Sequence, residues 1–322
     1  MLDAGCSILA PFLSPFALRP SLFALLFPAS GVENYNPGMD SATPAPLVSV
    51  LVATYNAALT LRRCIDSVVG QQGIGVELLI ADGQSSDDTV DICQIYAAKL
   101  AYFQSRPDAG VYDAWNRLLP HARGRWICFL GADDCFPEVD TLARLAEAAD
   151  ERPADCRLVY GRVQYYDAAG DRVYEEGAPW EASVSEMRFC NSIPHIGTLH
   201  AREIFDEGAR FDPAYRIAGD YDLVRREALQ NGAFFAEEVV AAHAAWGGLS
   251  TRADLELQSV REVGRIIRRQ DGRHPPAVWY WRCGKVLVRH AIYSAFGQRG
   301  LERYERWKSI VRRKKRVLRT EY

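Results

Sequence analysis

At 322 residues, 48% of them apolar and 25% charged, with a net charge of −3, the chain can bury a full core. It carries no positive excess that would make its body a nucleic-acid binder. The eight cysteines (Cys6, Cys64, Cys93, Cys128, Cys135, Cys156, Cys190 and Cys283) are scattered without a C-x-x-C pair, which excludes a zinc site or a disulfide framework and reads as small buried hydrophobes in a reducing compartment.

Residues 1–46 stand apart from the rest of the chain. Met1–Ser30 is apolar but interrupted by Pro11, Pro15, Arg19, Pro20 and Pro28, so no run of about 20 residues can cross a bilayer as one helix. It lacks the basic start of a signal peptide, and a Pro/Ser/Ala/Thr linker closes it. The segment reads as a disordered leader, or as an upstream extension with the working start near Met39. The folded part opens at Leu47–Thr54, a β-branched strand, and turns at Tyr55-Asn56. Leu59, Cys64, Ile65, Val68 and Val69 space a helix that ends at Gly70. Val76–Ala81 is a second strand closed by Asp82-Gly83, and Ser85–Asp88 cap a helix from about Thr89 to Lys99. A short strand, Ala101–Gln104, precedes the loop Arg106–Gly110, a helix from Tyr112 to His121 and a fourth strand from Arg125. The alternation predicts an α/β fold: a doubly wound, Rossmann-like, mostly parallel sheet flanked by helices.

Beyond that strand a helix runs from about Glu138 to Ala149. Leu158–Asp167 and Arg172–Glu175 alternate around Ala168-Ala169-Gly170 as a hairpin. A loop-rich section with Trp180, His195 and His200 leads to Gly219-Asp220-Tyr221-Asp222, a helix to about Gln230 and a strand near Phe234–Val240. Trp279 opens an aromatic-rich amphipathic helix, and Arg299–Arg319 holds ten Lys/Arg against two Glu. Such a segment suits an anionic membrane surface; a solvated helix with a disordered basic end is the plainer alternative.

The chemistry gathers where the fourth strand ends. Arg125–Gly131 is an unbroken apolar run of the kind buried on both faces, and it opens into Asp133 and Asp134. Ligands bind at the carboxyl edge of open α/β sheets. Paired acids there repel unless a cation lies between them, and hard divalent ions prefer oxygen ligands; otherwise the pair begins a solvated turn before Pro137. Asp82, ending the second strand, fits a dinucleotide oxidoreductase too. That class needs a G-x-G-x-x-G turn after the first strand, and Thr54-Tyr55-Asn56-Ala57-Ala58-Leu59 contains no glycine. A diphosphate here needs another means of neutralisation, and a cation at Asp133/Asp134 supplies one.

Four ordered blocks, Val50–Asn56, Ile80–Thr89, Asp108–Asn116 and Ala122–Asp134, resemble the family-2 glycosyltransferases, with the likeness extending over about residues 47–250. The resemblance implies an A-type glycosyltransferase fold with a donor half (47–135) and an acceptor half (136–250), followed by a helical, basic extension (251–322). It implies inverting transfer from a nucleoside-diphosphate sugar, usually a UDP-sugar, with divalent Mn or Mg. The acceptor would be a glycan or lipid-linked glycan, in polysaccharide or lipid-linked glycan synthesis. Thr54, Tyr55, Asn56, Asp82, Asp108, Asp113, Asn116 and Asp133 fall in the donor-binding blocks. Tyr55 would stack on the base and Asp82 accept a hydrogen bond from base or ribose. Asp113 and Asn116 also share one helix face, which suits a structural role.

Asp134 matches the metal motif, although Ala132 stands before an adjacent pair where the family has Asp-x-Asp. Which acid touches the ion and which the ribose stays open. Asp220 matches the general base, with Gly219 where an acid often precedes it, and Asp222 is the fallback. His195 resembles a segment near acceptor and diphosphate, and equally fits the core. His243 precedes a loop, Trp246–Thr251, that resembles one closing over the donor. The expected location is cytoplasmic, peripheral on the inner face of the cell membrane. A sugar nucleotidyltransferase lacks support without a G-x-G-T-R-type loop, and a non-catalytic nucleotide-sugar-binding protein would tolerate loss of Asp134 or Asp220.

Overall fold

The computed structural model describes residues 45–248 and 255–320, with no account of the side chains of 298–299, 301–302 and 305–320. The leader expected over residues 1–46 therefore lies almost wholly outside the described residues, as do Leu249, Ser250 and Thr251 of the expected closing loop.

Residues 47–135 follow the expected alternation. In order come β1 (Val48–Thr54), α1 (Leu61–Val69), β2 (Val76–Asp82), α2 (Thr89–Ile95), β3 (Tyr102–Ser105), α3 (Val111–Leu118) and β4 (Trp126–Gly131). β1 and β4 are buried almost throughout, which is why they read as continuous apolar runs. α1 buries Leu61, Cys64, Ile65 and Val68, a single stripe at helical spacing. The strands are parallel in the order β3-β2-β1-β4. Their register is level at the carboxyl edge, with Thr54 opposite Asp82, Ala53 opposite Gly131 and Asp82 opposite Ser105. That register puts Tyr55, Asp82 and the Asp133-Asp134 pair on one rim.

The other half is mixed. It contains α4 (Thr141–Asp150), β5 (Leu158–Tyr166), β6 (Arg172–Glu176), α5 (Trp180–Met187), β7 (Leu199–Ala201), α6 (Glu203–Asp206), α7 (Gly219–Asn231) and β8 (Phe234–Ala245). β7 is antiparallel to both β4 and β5, and β6 completes the expected hairpin with β5. β8 runs parallel to β5 and is longer than its sequence signal, because Ala241–Ala245 continue the pairing. This extra length carries β8 to the end of β4. Last come α8 (Glu256–Asp271) and α9 (Ala277–Thr320), the latter broken at Gly297 with φ 63°.

The main core joins the sheet to α3 and α7 through Trp115, Phe129, Phe211 and Tyr221. A smaller cluster of Val260, Ile267, Trp279 and Val286 fastens α8 to α9. A Cβ at Gly264 would fall 2.3 Å from the Trp279 ring, so glycine is what lets those helices touch. α9 leaves Trp281 64% and Phe296 73% exposed, with Lys285 Nζ 3.1 Å from the Trp281 ring centre. Among the described residues no helix is long and apolar enough to cross a membrane, and the cysteines are free, most of them buried.

Candidate active site

On the donor side the turns after β1 and β2 clasp each other. Asn56, at φ 49°, donates its N–H to Ser85 Oγ (2.8 Å) and accepts from Ser86 N at Oδ1 (2.9 Å). The next two N–H groups, of Ala57 and Ala58, go to Thr89 Oγ1 (2.8 Å) and Asp87 Oδ2 (3.1 Å). The N–H groups that a glycine cradle would offer to phosphate are thus already engaged. Tyr55 is left 67% exposed, with its ring free to stack. Asp82 is 1% exposed and accepts from Ser85 N (3.0 Å), Ser85 Oγ and Ser105 Oγ (2.6 Å). A nucleotide hydroxyl or base N–H would have to take over from one of these serines. Thr54 is buried, with its hydroxyl unpartnered among the described residues.

A Cβ at Gly83 would meet Asp108 Oδ2 at 2.8 Å and the Tyr55 ring at 3.3 Å, so Tyr55 and Asp108 converge over a bare glycine. Burial holds the Asp108 carboxyl above its ordinary range. Asp113 turns back on its own loop, accepting from Ala109 N (3.0 Å) and pairing with Arg117 at 2.6 Å. Asn116 spends both ends of its amide on Phe211, donating to its carbonyl (2.8 Å) and accepting from its N–H (3.0 Å). Of the three, only Asp108 joins Tyr55.

The acid pair folds back over the end of β4. A Cβ at Gly131 would lie 2.7 Å from both Asp133 Oδ1 and Asp134 Oδ2; a side chain there would hold the two carboxylates apart. Asp134 is 4% exposed. It accepts from Gly131 N at 2.9 Å and from Ala245 N at 3.3 Å, the latter supplied by the unforeseen end of β8. Burial, then the charge of Asp133, raises its pKa to about 7. Arg63, the cation at this corner, donates instead to the Asp133 backbone carbonyl at 2.7 Å.

Among the described residues no three His, Cys, Asp or Glu side chains form a metal cage. A magnesium-type ion does not need one, since it binds one or two carboxylates together with substrate phosphate and water. Two converging acids, one of them buried with no ion-pair partner among the described residues, fit such an ion. His243 exchanges backbone hydrogen bonds with Cys135 (3.0 and 2.8 Å), but its ring turns to Tyr166, 3.4 Å from that hydroxyl.

Asp220, in the first turn of α7, lies 3.0 Å from the hydroxyl of Tyr112, which also reaches the Ile217 carbonyl at 2.7 Å. Burial raises the proton affinity of Asp220. Glu176, at the end of β6, accepts from Tyr165 at 3.0 Å. Burial raises the Glu176 pKa, with the Asp220 charge adding to it, and raises that of Tyr165, with the Asp134 charge among the causes. The Tyr165–Glu176 pair thus feels the charge of Asp134 at one end and that of Asp220 at the other. Tyr165 and Tyr174 also flank the half-exposed Trp246, each about 6 Å away between ring centres.

This hairpin contribution was not anticipated, because a strand with alternating polarity gives no sign of which residues face a cleft. The fallback base, Asp222, is buried and bound by Gln270 Nε2 at 2.8 Å, facing α8. His195 is stacked on Phe129 (5.1 Å) among Trp115, His200 and Phe211, with neither nitrogen partnered among the described residues. Burial keeps its ring uncharged. It lies in the core below the rim.

Residues 49–205 match the family described as glycosyl transferase family 2. A "PGL/p-HBAD biosynthesis glycosyltransferase" of Mycobacterium bovis is 35% identical over 213 residues, covering 64% of this chain and 80% of that protein. An "uncharacterized glycosyltransferase" of Mycobacterium tuberculosis is 39% identical over 189 residues, 58% of this chain and 71% of the relative. Among solved structures, S. aureus TarS 1–349 in complex with UDP is similar at TM-score 0.54 and 17% identity, covering 76% of this chain and 71% of that one. A longer TarS chain is covered over 44% of its length. A mannosyltransferase from Pyrobaculum calidifontis in complex with GDP-Man and Mn2+ is similar at TM-score 0.53 and 18% identity, with 84% and 81% covered.

Proposed function

This chain belongs to glycosyl transferase family 2 and has the A-type glycosyltransferase fold, and from that premise we propose that it transfers a sugar, with inversion, from a nucleoside diphosphate to a hydroxyl acceptor. The carrying observation is the rim: a buried Asp134 beside the half-buried Asp133, with no ion-pair partner for either among the described residues, on one side and a recessed Asp220 on the other. The hydrogen-bonded Tyr165–Glu176 pair feels the charge of both. Solved structures of the same fold hold UDP, UDP-GlcNAc and GDP-Man, one of them with Mn2+, which supports a nucleotide-sugar donor and a divalent ion.

Tyr55 stacks on the base and Asp82 receives a base or ribose hydrogen bond, one serine giving way. Asp134, with Asp133 beside it, would hold Mn or Mg at the diphosphate. When bound, the ion offsets the charge that builds on the leaving group. Asp220 takes the proton of the attacking hydroxyl, and its raised proton affinity suits a base that must hold a proton near neutrality. Tyr112 fixes the direction of that carboxylate. The acceptor is a glycan or lipid-linked glycan approaching past Tyr165, Tyr174 and Trp246, with Glu176 within the recess.

The exposed Trp281 and Phe296 of α9 and the basic tail hold the protein at an anionic leaflet on the cytoplasmic side. Turnover of UDP-glucose, UDP-N-acetylglucosamine and GDP-mannose, assayed with and without Mn or Mg, tests the reading. One donor should turn over only with metal, and Asp220→Asn should abolish turnover while donor binding persists. An Asp220→Asn enzyme with unchanged turnover overturns the assignment of the base.

A further inference from the structure

The turn that delivers Asp220 is held from an unexpected direction. Arg216, Ile217 and Ala218 precede α7, and their three successive N–H groups all point to one carboxylate, that of Glu262 in α8. Arg216 N lies 3.1 Å from Oε1 and 3.2 Å from Oε2, and Ile217 N and Ala218 N each lie 2.9 Å from Oε2. Gln258, one helical turn earlier, donates to Oε1 at 2.9 Å. Glu262 is 3% exposed. Consecutive backbone N–H groups leading into a helix make an anion-binding nest, and this one is filled by a side chain of the same chain.

The other side of that turn carries the chemistry. The Ile217 carbonyl accepts from the Tyr112 hydroxyl, which also touches Asp220 Oδ1. One short segment thus receives Glu262 on its N–H groups and presents the Tyr112–Asp220 pair beside its carbonyl. α8 grips the rest of α7 separately, through Arg225 to Asp271 at 2.8 Å and Gln270 to Asp222 at 2.8 Å. The Arg225–Asp271 grip on the body of the helix is therefore distinct from the Glu262 grip on the turn before it.

We propose that Glu262 is a positioning residue for transfer: its carboxylate, carried on α8 outside the matched residues 49–205, sets the turn that aims Asp220 at the acceptor hydroxyl. The proposal rests on Asp220 being the general base. The titratable groups facing Asp220 are Tyr112 from α3, Glu176 at the end of β6 and Glu262 from α8.

The test is steady-state turnover, with its pH profile, of whichever donor the nucleotide-sugar panel identifies. Glu262→Ala should lower kcat about 100-fold, the size of loss expected from a small misplacement of a reacting group, with the donor KM unchanged. Added formate should restore part of that kcat by occupying the vacated nest. Glu262→Gln keeps an acceptor for the N–H groups and should retain most turnover. Its acid limb should move to lower pH, because a negative charge that raises the Asp220 pKa is gone.

Asp271→Asn, which loosens only the Arg225 grip, should lower the melting temperature and leave the pH profile in place. Wild-type kcat in Glu262→Ala would overturn the proposal. So would a Glu262→Ala defect that formate leaves untouched, with a Glu262→Gln profile superposable on wild type. Unchanged turnover in Asp220→Asn would instead sink the assignment of the base on which the proposal rests.

Discussion

Two buried carboxylates at opposite edges of the same sheet are treated differently. At the amino edge, Glu77 is enclosed by partners from its own chain. Ser49 Oγ and the Arg123 N–H reach Oε1 at 2.6 Å each, and the Arg123 guanidinium reaches Oε2 at 3.0 and 2.9 Å. At the carboxyl edge, Asp134 is as deeply buried but has two backbone N–H groups and a second carboxylate beside it. Breaking a buried ion pair destabilises strongly because a lone charge is left behind. Asp134 has no ion-pair partner among the described residues, and only the more distant charge of Arg63 opposes the rise of its pKa. An acid neutralised by its own chain holds the structure together; one left to attract a proton or a ligand's cation serves chemistry.

The largest effect should come from removing the acid that the chain leaves uncompensated. Asp134→Asn should cut transfer by about 10³-fold or more, the several kcal/mol that metal stabilisation of a leaving group supplies. The same variant, without metal, should melt above wild type at pH 8, because it no longer buries a charge. If Asp134→Asn melted lower there and still transferred sugar, the contrast with Glu77 would be void.

Arg123→Ala should turn the amino edge into an imitation of the carboxyl edge. It leaves Glu77 buried against Ser49 without its cation. Since the Arg123 side chain is 43% exposed, the expected cost is about 2 kcal/mol, below that of a fully buried pair. Turnover per folded molecule should be unchanged, measured beside the melting curve. A loss of turnover without a loss of stability would mean that the edges are not separate.

The pH dependence sharpens the comparison. The folded, metal-free protein keeps a proton on Asp134 up to about pH 7, whereas an unfolded chain releases it near pH 4. Between those values the folded state binds more protons, so this group makes stability fall as pH rises. That is the reverse of an acid whose pKa folding depresses. Binding of Mn must displace that proton, so Mn affinity should rise through pH 6–8 and level off above. Calorimetric titration across that range checks it, and a flat profile would refute the raised proton affinity.

How much of this was legible in the sequence divides along the same line. β1, β2 and β4 are buried on both faces, so their runs, and the acids just past their ends, announced both the sheet and the rim. The mixed half was harder. β7 is three residues long, and the end of β8 is mostly alanine, which gives almost no strand signal although its Ala245 N–H holds Asp134. Glu262, Tyr165 and Glu176 look ordinary in sequence. Their part depends on partners as far as 81 residues away, visible only once the chain has folded. Asp222, two residues from Asp220 in sequence, faces α8, a separation that their spacing alone does not reveal.

The smallest expected effect separates two roles that one motif combines. Within Asp108–Asn116 the resemblance treats all the polar residues as donor-binding, yet Asn116 exchanges both amide hydrogen bonds with Phe211 and lies away from Tyr55. Asn116→Ala should therefore cost about 1–2 kcal/mol of stability by leaving two backbone groups short of a partner, and leave the donor KM as it was. Tyr55→Ala should do the opposite, raising donor KM about tenfold through lost stacking on the base, with the melting temperature unchanged because that ring is mostly exposed. Paired KM and melting measurements on the two variants decide the matter. If Asn116→Ala raised KM as much as Tyr55→Ala does, the amide would have to leave Phe211 for the nucleotide. The strap between α3 and residue 211 would then be part of the donor site, not its scaffold.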